Sequence, residues 1–135
     1  MTVLALDVGG TGIKGAVVAA DGTVRCARHR PTRPESGADA VTAAVLDAAA
    51  ELAALAGQAG LRPEAVGLVV PGILDEARGV VVRAVNLGWV EVPIRRRMAE
   101  HLGLPVAFGH DVRQTALVGE LAERLGAPWV SEHLA

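Results

Sequence analysis

The chain has little cysteine and few aromatic residues. Its 135 residues include one cysteine, one phenylalanine, two tryptophans and no tyrosine. The single Cys26 excludes an internal disulfide and is typical of a reducing, cytoplasmic setting. The first residues also lack the pattern of a secretion signal, because no basic segment opens the chain and Asp7 interrupts the apolar stretch. We therefore expect a cytoplasmic globular protein without disulfides.

The chain also lacks a large excess of charge of either sign, since its formal net charge is −2. A general nucleic-acid-binding protein is usually strongly basic. One segment does hold four arginines, Arg25, Arg28, Arg30 and Arg33. No aromatic residues alternate with them, as stacking on bases would require. We interpret them as solvated charges that protect an edge strand from aggregation, and we expect no nucleic-acid partner.

No stretch of the chain is long and free of charge. The most apolar long segment, Ala38 to Leu61, contains Asp39, Asp47 and Glu51. Carboxylates are costly in the hydrocarbon core of a bilayer, so we expect no membrane span. The length is close to that of one domain, and 51% of the residues are hydrophobic, which is enough for a substantial core.

The most informative stretch is residues 4–18, L-A-L-D-V-G-G-T-G-I-K-G-A-V-V. Two apolar runs flank the glycine-rich residues 9–12, which predicts a β-hairpin. We expect the glycines to adopt positive φ and to leave backbone N–H groups pointing outward, where they would form a cradle for phosphate. Asp7 is a candidate magnesium ligand, and Lys14 could add a positive charge. The glycines alone fit an ordinary hairpin equally well, with Asp7 capping the turn and Lys14 solvated.

Other nucleotide-binding motifs do not match this stretch. A Walker loop needs G-x-x-x-x-G-K-[ST] at the start of a helix, and a dinucleotide fingerprint needs G-x-G-x-x-G before a helix. The phosphate interpretation therefore depends on the hairpin itself.

The rest of the chain predicts alternating helices and strands. A third strand should follow Asp21-Gly22, and Ser36-x-x-Asp39 resembles a capping box before a helix that reaches about Gly60. Later elements are expected as strands at 65–70, 80–84 and 106–108, and as helices at 93–102 and 112–125. Arg95, Arg96 and Arg97 are expected on the outside of the first of these helices. The predicted class is α/β, with a mixed sheet and the element order βββαβαβα.

Three polar signals fall at strand ends. Asp7 ends the first strand, Pro71-Gly72 follows the strand at 65–70, and Asp111 follows the strand at 106–108. In open sheets with parallel strands, ligands bind beyond the carboxyl ends of those strands. This convergence predicts a site there, although Asp111 could equally be a plain N-cap of the next helix.

Two motifs resemble the ROK family of sugar kinases and repressors, within the actin/hexokinase-like ATPase superfamily. The string D-V-G-G-T-G-I-K at residues 7–14 is similar to the family's phosphate hairpin, D-x-G-G-T-x-x-K. Residues 110–120, H-D-V-R-Q-T-A-L-V-G-E, are similar to its N-D-x-x-x-x-A-x-x-G-E. The resemblance implies an actin-like ATPase (ribonuclease H-like) lobe that uses ATP and Mg2+ to phosphorylate a hexose such as glucose.

The resemblance also implies a role for each matched residue. Asp111 would be the base that accepts the proton of the sugar hydroxyl, and an ionised aspartate suffices because it mainly orients that hydroxyl. The phosphate and magnesium residues would be Asp7, Gly9, Gly10, Thr11 and Lys14. The sugar residues would be Gly72, Asn86, His110 and Asp111. His110 departs from the family's asparagine, which leaves the sugar's identity open.

The resemblance covers residues 1–125, the first lobe of the family pattern, with residues 126–135 as an unmatched tail. The second lobe and the family's zinc cluster are absent, so we expect no zinc in this chain. Two functions stay open: the N-terminal lobe of an ATP-dependent sugar kinase, inactive in isolation, or a non-catalytic sugar- or phosphate-binding relic. A repressor is a third, which the sequence disfavours because that branch carries a winged helix ahead of the hairpin, whereas here Asp7 follows the start of the sequence at once. An uncovered lobe face predicts a homo-oligomer.

Overall fold

The computed structural model describes residues 2–19 and 21–110 of the chain. The strands are β1 Thr2–Val8, β2 Gly12–Val18, β3 Val24–Pro31, β4 Pro63–Val70, β5 Ile73–Asp75, β6 Val80–Ala84, β7 Trp89–Val92 and β8 Val106–His110. The helices are α1 Ala38–Gln58 and α2 Ile94–Leu102. Asp111 and the helix predicted at 112–125 lie outside the described residues.

The main sheet has five strands in the order β3-β2-β1-β4-β8. The first three strands form the predicted antiparallel meander, and β3 lies at the edge as expected. Strands β4 and β8 then run parallel to β1. The mixed sheet confirms the predicted fold class, and its three parallel strands bring their carboxyl ends to one side of the molecule.

Helix α1 covers one face of this sheet. Its buried residues include Val41, Val45 and Leu52, which join the apolar side chains of β1 and β4 in one core. Gly15 of β2 allows the helix to come close, since a Cβ there would lie 2.6 Å from Cδ1 of Leu52. By length and composition α1 alone among the described helices could cross a membrane. Here it has a core-facing side, as the central helix of a globular domain does.

The predicted capping box does not form. The N-cap of α1 is Gly37, without a side-chain cap bond, and Ser36 belongs to a short 3-10 turn ahead of it. Asp39 is therefore the second residue of the helix, whereas the box needs an acceptor at the third. The first amides of α1 consequently keep no side-chain partner of the expected kind.

A second, three-stranded sheet of order β5-β6-β7 is inserted between β4 and α2. At its first turn Asp75 accepts a hydrogen bond from Nε of Arg78 at 2.6 Å, which lowers the pKa of the Asp75 carboxyl. Arg95 was predicted on the outside of its helix, and this is wrong. Its guanidinium instead donates to the carbonyls of Glu76 and Ala77, at 2.9 and 3.1 Å. The arginine thereby ties α2 to the small sheet.

Candidate functional site

The carboxyl ends of β1, β4 and β8 lie side by side. Asp7 is opposite Val69, and Val69 is opposite Gly109. The last pair joins Val70 to His110, so β8 extends two residues beyond its predicted end. Neighbouring strands are about 4.8 Å apart, which leaves about 10 Å between the ends of β1 and β8. That distance is wide enough for a phosphoryl group and a small polar substrate.

The β1–β2 hairpin forms as predicted and holds Asp7 and Lys14 as direct cross-strand partners. Both side chains are half-buried. Cross-strand neighbours of opposite charge lie on one face of the sheet and attract each other. Asp7 and Lys14 therefore lie beside each other where the two strands enter the glycine turn.

The turn presents fewer amides than expected. The N–H of Gly9 donates to the carbonyl of Gly12 at 2.8 Å, so it closes the hairpin and does not point outward. Among the described residues, we find no acceptor for the N–H groups of Gly10 and Thr11. An anion cradle at this turn would therefore consist of two amides, those of Gly10 and Thr11.

The expected positive φ is also wrong, because Gly9, Gly10 and Gly12 are not among the left-handed glycines. Close approach explains two of them. A Cβ on Gly10 would lie 3.0 Å from Cβ of Asn86, and one on Gly12 would collide with the imidazole of His29. The packing of Asn86 therefore favours glycine at position 10, whereas the exposed His29 side chain could move away from a side chain at position 12.

Asn86 therefore forms a contact between the three-stranded sheet and the turn of the β1–β2 hairpin. It belongs to the short 3-10 turn Val85–Leu87, which connects β6 to β7. Asn86 and Gly72 both line an open cavity of about 250 Å3 beside the hairpin. Two residues predicted to contact sugar therefore share one cavity, and one of them lies against the turn predicted to bind phosphate.

Gly72 is conformationally required. Its φ is +102°, and an added Cβ would lie 3.0 Å from Cα of Ala84 and would also collide with the carbonyl of Arg83. Glycine alone tolerates this combination of dihedral angle and contact. The chain can therefore leave β4 and turn into β5 while keeping one wall of the cavity free of side chain.

The structure thus brings together Asp7, Gly10, Thr11, Lys14 and Asn86. Gly72 lines the same cavity as Asn86. Gly9 supports the turn through its backbone bonds. The backbone of His110 ends β8 at the same side of the sheet. Asp111, the proposed base, lies outside the described residues, and its place in the site stays a prediction.

The sequence analysis did not identify Thr32, which hydrogen-bonds to two carbonyls of the hairpin turn. Its Oγ1 donates to the carbonyl of Gly9 at 2.5 Å, and its N–H donates to the carbonyl of Thr11 at 3.2 Å. The signal was available: in a three-stranded meander the end of the third strand returns beside the first turn, and a threonine there can bond its carbonyls.

We expect Thr32→Val to loosen the turn. Valine matches the shape of threonine but leaves the half-buried carbonyl of Gly9 without its hydroxyl donor, which costs about 1 kcal/mol of unfolding free energy. Chemical denaturation and the amide chemical shifts of residues 9–12 measure the effect. Thr32→Ser keeps the hydroxyl and should keep those shifts. A Thr32→Val protein with native stability and native shifts would show that this bond is unimportant.

With this geometry established, comparison with known proteins places the chain. Residues 3–126 match the family model described as "ROK family", and the chain belongs to this family. A glucokinase of Halalkalibacterium halodurans is 31% identical over 123 residues, which cover 90% of this chain and 36% of that protein. A xylose repressor homologue of Caldicellulosiruptor is 36% identical over 64 residues, or 47% of this chain and 15% of that one. The family thus includes both kinases and repressors.

Solved structures agree with the fold. The ROK family glucokinase of Streptomyces griseus, in complex with glucose and AMPPNP, has a TM-score of 0.70 and 31% identity, covering 94% of this chain and 38% of that one. The ROK hexokinase of Thermus thermophilus has a TM-score of 0.66 and 38% identity, covering 82% and 35%. The chain therefore spans about a third of the length of the glucokinases it matches, and corresponds to a glucokinase-like N-terminal region.

Proposed function

We propose that this chain forms the N-terminal part of an ATP-dependent sugar kinase that phosphorylates a hexose hydroxyl. The observation that carries the proposal is the contact between Gly10 and Asn86, which puts the glycine turn beside the open cavity that Asn86 lines. A kinase must hold the phosphoryl donor and the acceptor hydroxyl in contact. The relative from Streptomyces griseus, solved with glucose and AMPPNP, supports a hexose and an adenine nucleotide as ligands.

On the donor side, the Gly10 and Thr11 amides would bind phosphate oxygens, and Lys14 would add a positive charge. Phosphoryl transfer passes through a loose transition state, so positioning and charge stabilisation supply most of the catalysis. Backbone amides suit this purpose because they are fixed before the substrate arrives.

Asp7 fits the requirements of a magnesium ligand. It supplies a hard carboxylate oxygen at a strand end, beside the turn and in register with Lys14. Magnesium in kinases is held by one or two carboxylates together with substrate phosphates, not by a protein cage. Residues 2–19 and 21–110 contain no cluster of three metal-binding side chains. When bound, the ion would neutralise charge on the transferred phosphoryl group.

On the acceptor side, Gly72 would let the sugar approach the backbone and Asn86 would supply a polar edge. His110 ends β8 opposite Val70, and Asp111 is the next residue in the sequence. We assign Asp111 the role of the base that orients the attacking hydroxyl and accepts its proton. His110 stands where the family usually has asparagine, and this difference leaves the identity of the hexose open.

The competing hypothesis is a non-catalytic member that binds sugar or phosphate only. It shares the cavity and the turn, but it does not need magnesium. The magnesium dependence of nucleotide binding therefore discriminates between the two functions.

We expect Asp7→Asn to remove that dependence. Wild-type chain should bind AMPPNP at around millimolar with magnesium present, equivalent to about 4 kcal/mol, and several-fold more weakly without it. Asp7→Asn should bind equally with and without the ion, in isothermal titration calorimetry. Asp47→Asn removes the same charge from the exposed side of α1 and should behave as wild type. Retained magnesium dependence in Asp7→Asn would exclude Asp7 as the ligand, whereas wild-type binding that does not depend on magnesium would favour the non-catalytic hypothesis.

A further inference from the structure

Three of the four arginines in the basic segment lie around one concave surface. Arg28, Arg30 and Arg33 line one cavity of about 560 Å3 between the end of β3 and the first turns of α1. Small-molecule sites commonly have volumes of about 300–1,000 Å3. Arg25, the fourth arginine of the segment, is not among the lining residues. Three arginines of the basic segment therefore share one space, the arginine cavity, in which Arg28 and Arg33 are exposed and Arg30 is half-buried.

The charge of the arginine cavity is poorly balanced. Its walls carry three guanidinium groups against one carboxylate, that of Glu51. The contact between Arg30 and Glu51 is 3.6 Å long, and the two side chains are 31% and 45% exposed. Glu51 therefore balances at most one of the three positive charges, and the pair is exposed enough to open at little cost. The cavity therefore presents positive charge that the described part of the chain leaves largely unneutralised.

The backbone around the cavity is held in an unusual form. Arg33 has φ of 55° and ψ of 63°, the left-handed region that non-glycine residues seldom adopt. The conformation places the arginine directly between Thr32 and the 3-10 turn that contains Ser36. Strain at a charged residue in a concave surface is a pattern found at ligand-binding positions.

The N-terminus of helix α1 lies at the same wall. Ser36 and Ala40 line the cavity, and the helix begins between them at an N-cap, Gly37, that provides no side-chain acceptor. The amides of a first helical turn have no acceptors within the helix and attract anions. The amides and the three arginines are independent features that favour the same kind of ligand.

We propose that the arginine cavity is a second binding site, for a small phosphoryl anion of more than one negative charge. Arginine matches phosphoryl oxygens with paired N–H donors, and three of them exceed the need of a singly charged carboxylate. The chemistry fits both a sugar phosphate and a short inorganic polyphosphate. Thr32 links this site to the hairpin, because it lines the cavity and also bonds Gly9.

The test compares two triple variants that lose the same charge. Arg28→Gln/Arg30→Gln/Arg33→Gln removes the cavity arginines, and Arg25→Gln/Arg96→Gln/Arg97→Gln removes three exposed ones. Calorimetric titration with sodium tripolyphosphate and with glucose 6-phosphate should show at least tenfold weaker binding in the cavity triple. The control triple should stay within about twofold of wild type for both probes. The tighter of the two probes identifies the natural source of the anion.

Arg33→Gly separates binding from folding. Glycine adopts the left-handed backbone without strain, so this variant should be at least as stable as wild type while it binds tripolyphosphate several-fold more weakly. Equal losses in both triples would overturn the proposal, since they would indicate a general charge effect. Amide shifts confined to Gly10 and Thr11 would also overturn it, because the anion would then occupy only the hairpin. The hairpin proposal fails separately, when those two amides do not respond.

Discussion

Gly72→Ala should be among the most damaging single-methyl additions in this domain. The alanine would have to adopt φ of +102°. Its Cβ would also have to occupy space held by the backbone of Arg83 and Ala84. Left-handed strain costs about 1–3 kcal/mol. Overpacking against rigid backbone costs about 1–3 kcal/mol more. We expect a loss of about 3 kcal/mol or more in unfolding free energy, measured by urea denaturation, and loss of glucose binding with it.

Gly37→Ala provides the matched control. Gly37 has nearly the same dihedral angle, φ of +101°, but a Cβ there would meet nothing within 4 Å. Its cost should be limited to strain and a poorer N-cap, about 1–2 kcal/mol. The difference between the two variants isolates the close approach at Gly72. Equal costs would show that backbone strain alone requires glycine there.

Gly10→Ala should disturb the contact between the glycine turn and the cavity that Asn86 lines. Its Cβ would lie 3.0 Å from Cβ of Asn86, so one of the two segments has to shift by a few tenths of an ångström. We expect a loss of about 1–2 kcal/mol in stability. Affinity for pyrophosphate and for glucose should each fall by about tenfold, a change of about 1.4 kcal/mol. Gly57→Ala, on an open helical surface, should instead gain up to about 1 kcal/mol and bind normally.

A double-mutant cycle tests whether Asn86 is the cause. Asn86→Gly removes the Cβ that Gly10→Ala would strike. The double variant should therefore lose less stability than the two single variants together, with a coupling of about 1 kcal/mol. Additive losses would place the obstruction elsewhere and would remove the link between turn and cavity.

The regular elements could be predicted from the sequence because each has its own periodicity. The hairpin, the Asp21-Gly22 turn and the apolar run at 65–70 each imply their partners locally, and the five-stranded sheet follows from their order. The end of β8 was predicted two residues early, since Gly109 carries no side chain to mark it. Its strand character comes from pairing with Val69, which local sequence does not encode.

The site could be predicted as a set of residues but not as a set of contacts. The role of the turn glycines was attributed to positive φ, the common reason, whereas Gly10 instead lies against the side chain of Asn86, 76 residues further along the chain. Similarly, Arg95 looked like a solvated helix residue, because the carbonyls it binds come from a turn in another sheet. Contacts between inserted and framework elements depend on tertiary packing, so periodicity does not reveal them.

The most direct test of the central claim is a two-step titration followed by 15N–1H correlation spectra of the chain. Magnesium pyrophosphate added first should shift the backbone amides of Gly10 and Thr11, and glucose added next should shift the side-chain amide of Asn86. Both sets should respond because the turn and the cavity are in contact. The account is contradicted if the Gly10, Thr11 and Asn86 signals stay fixed while signals elsewhere in the chain follow the added ligands.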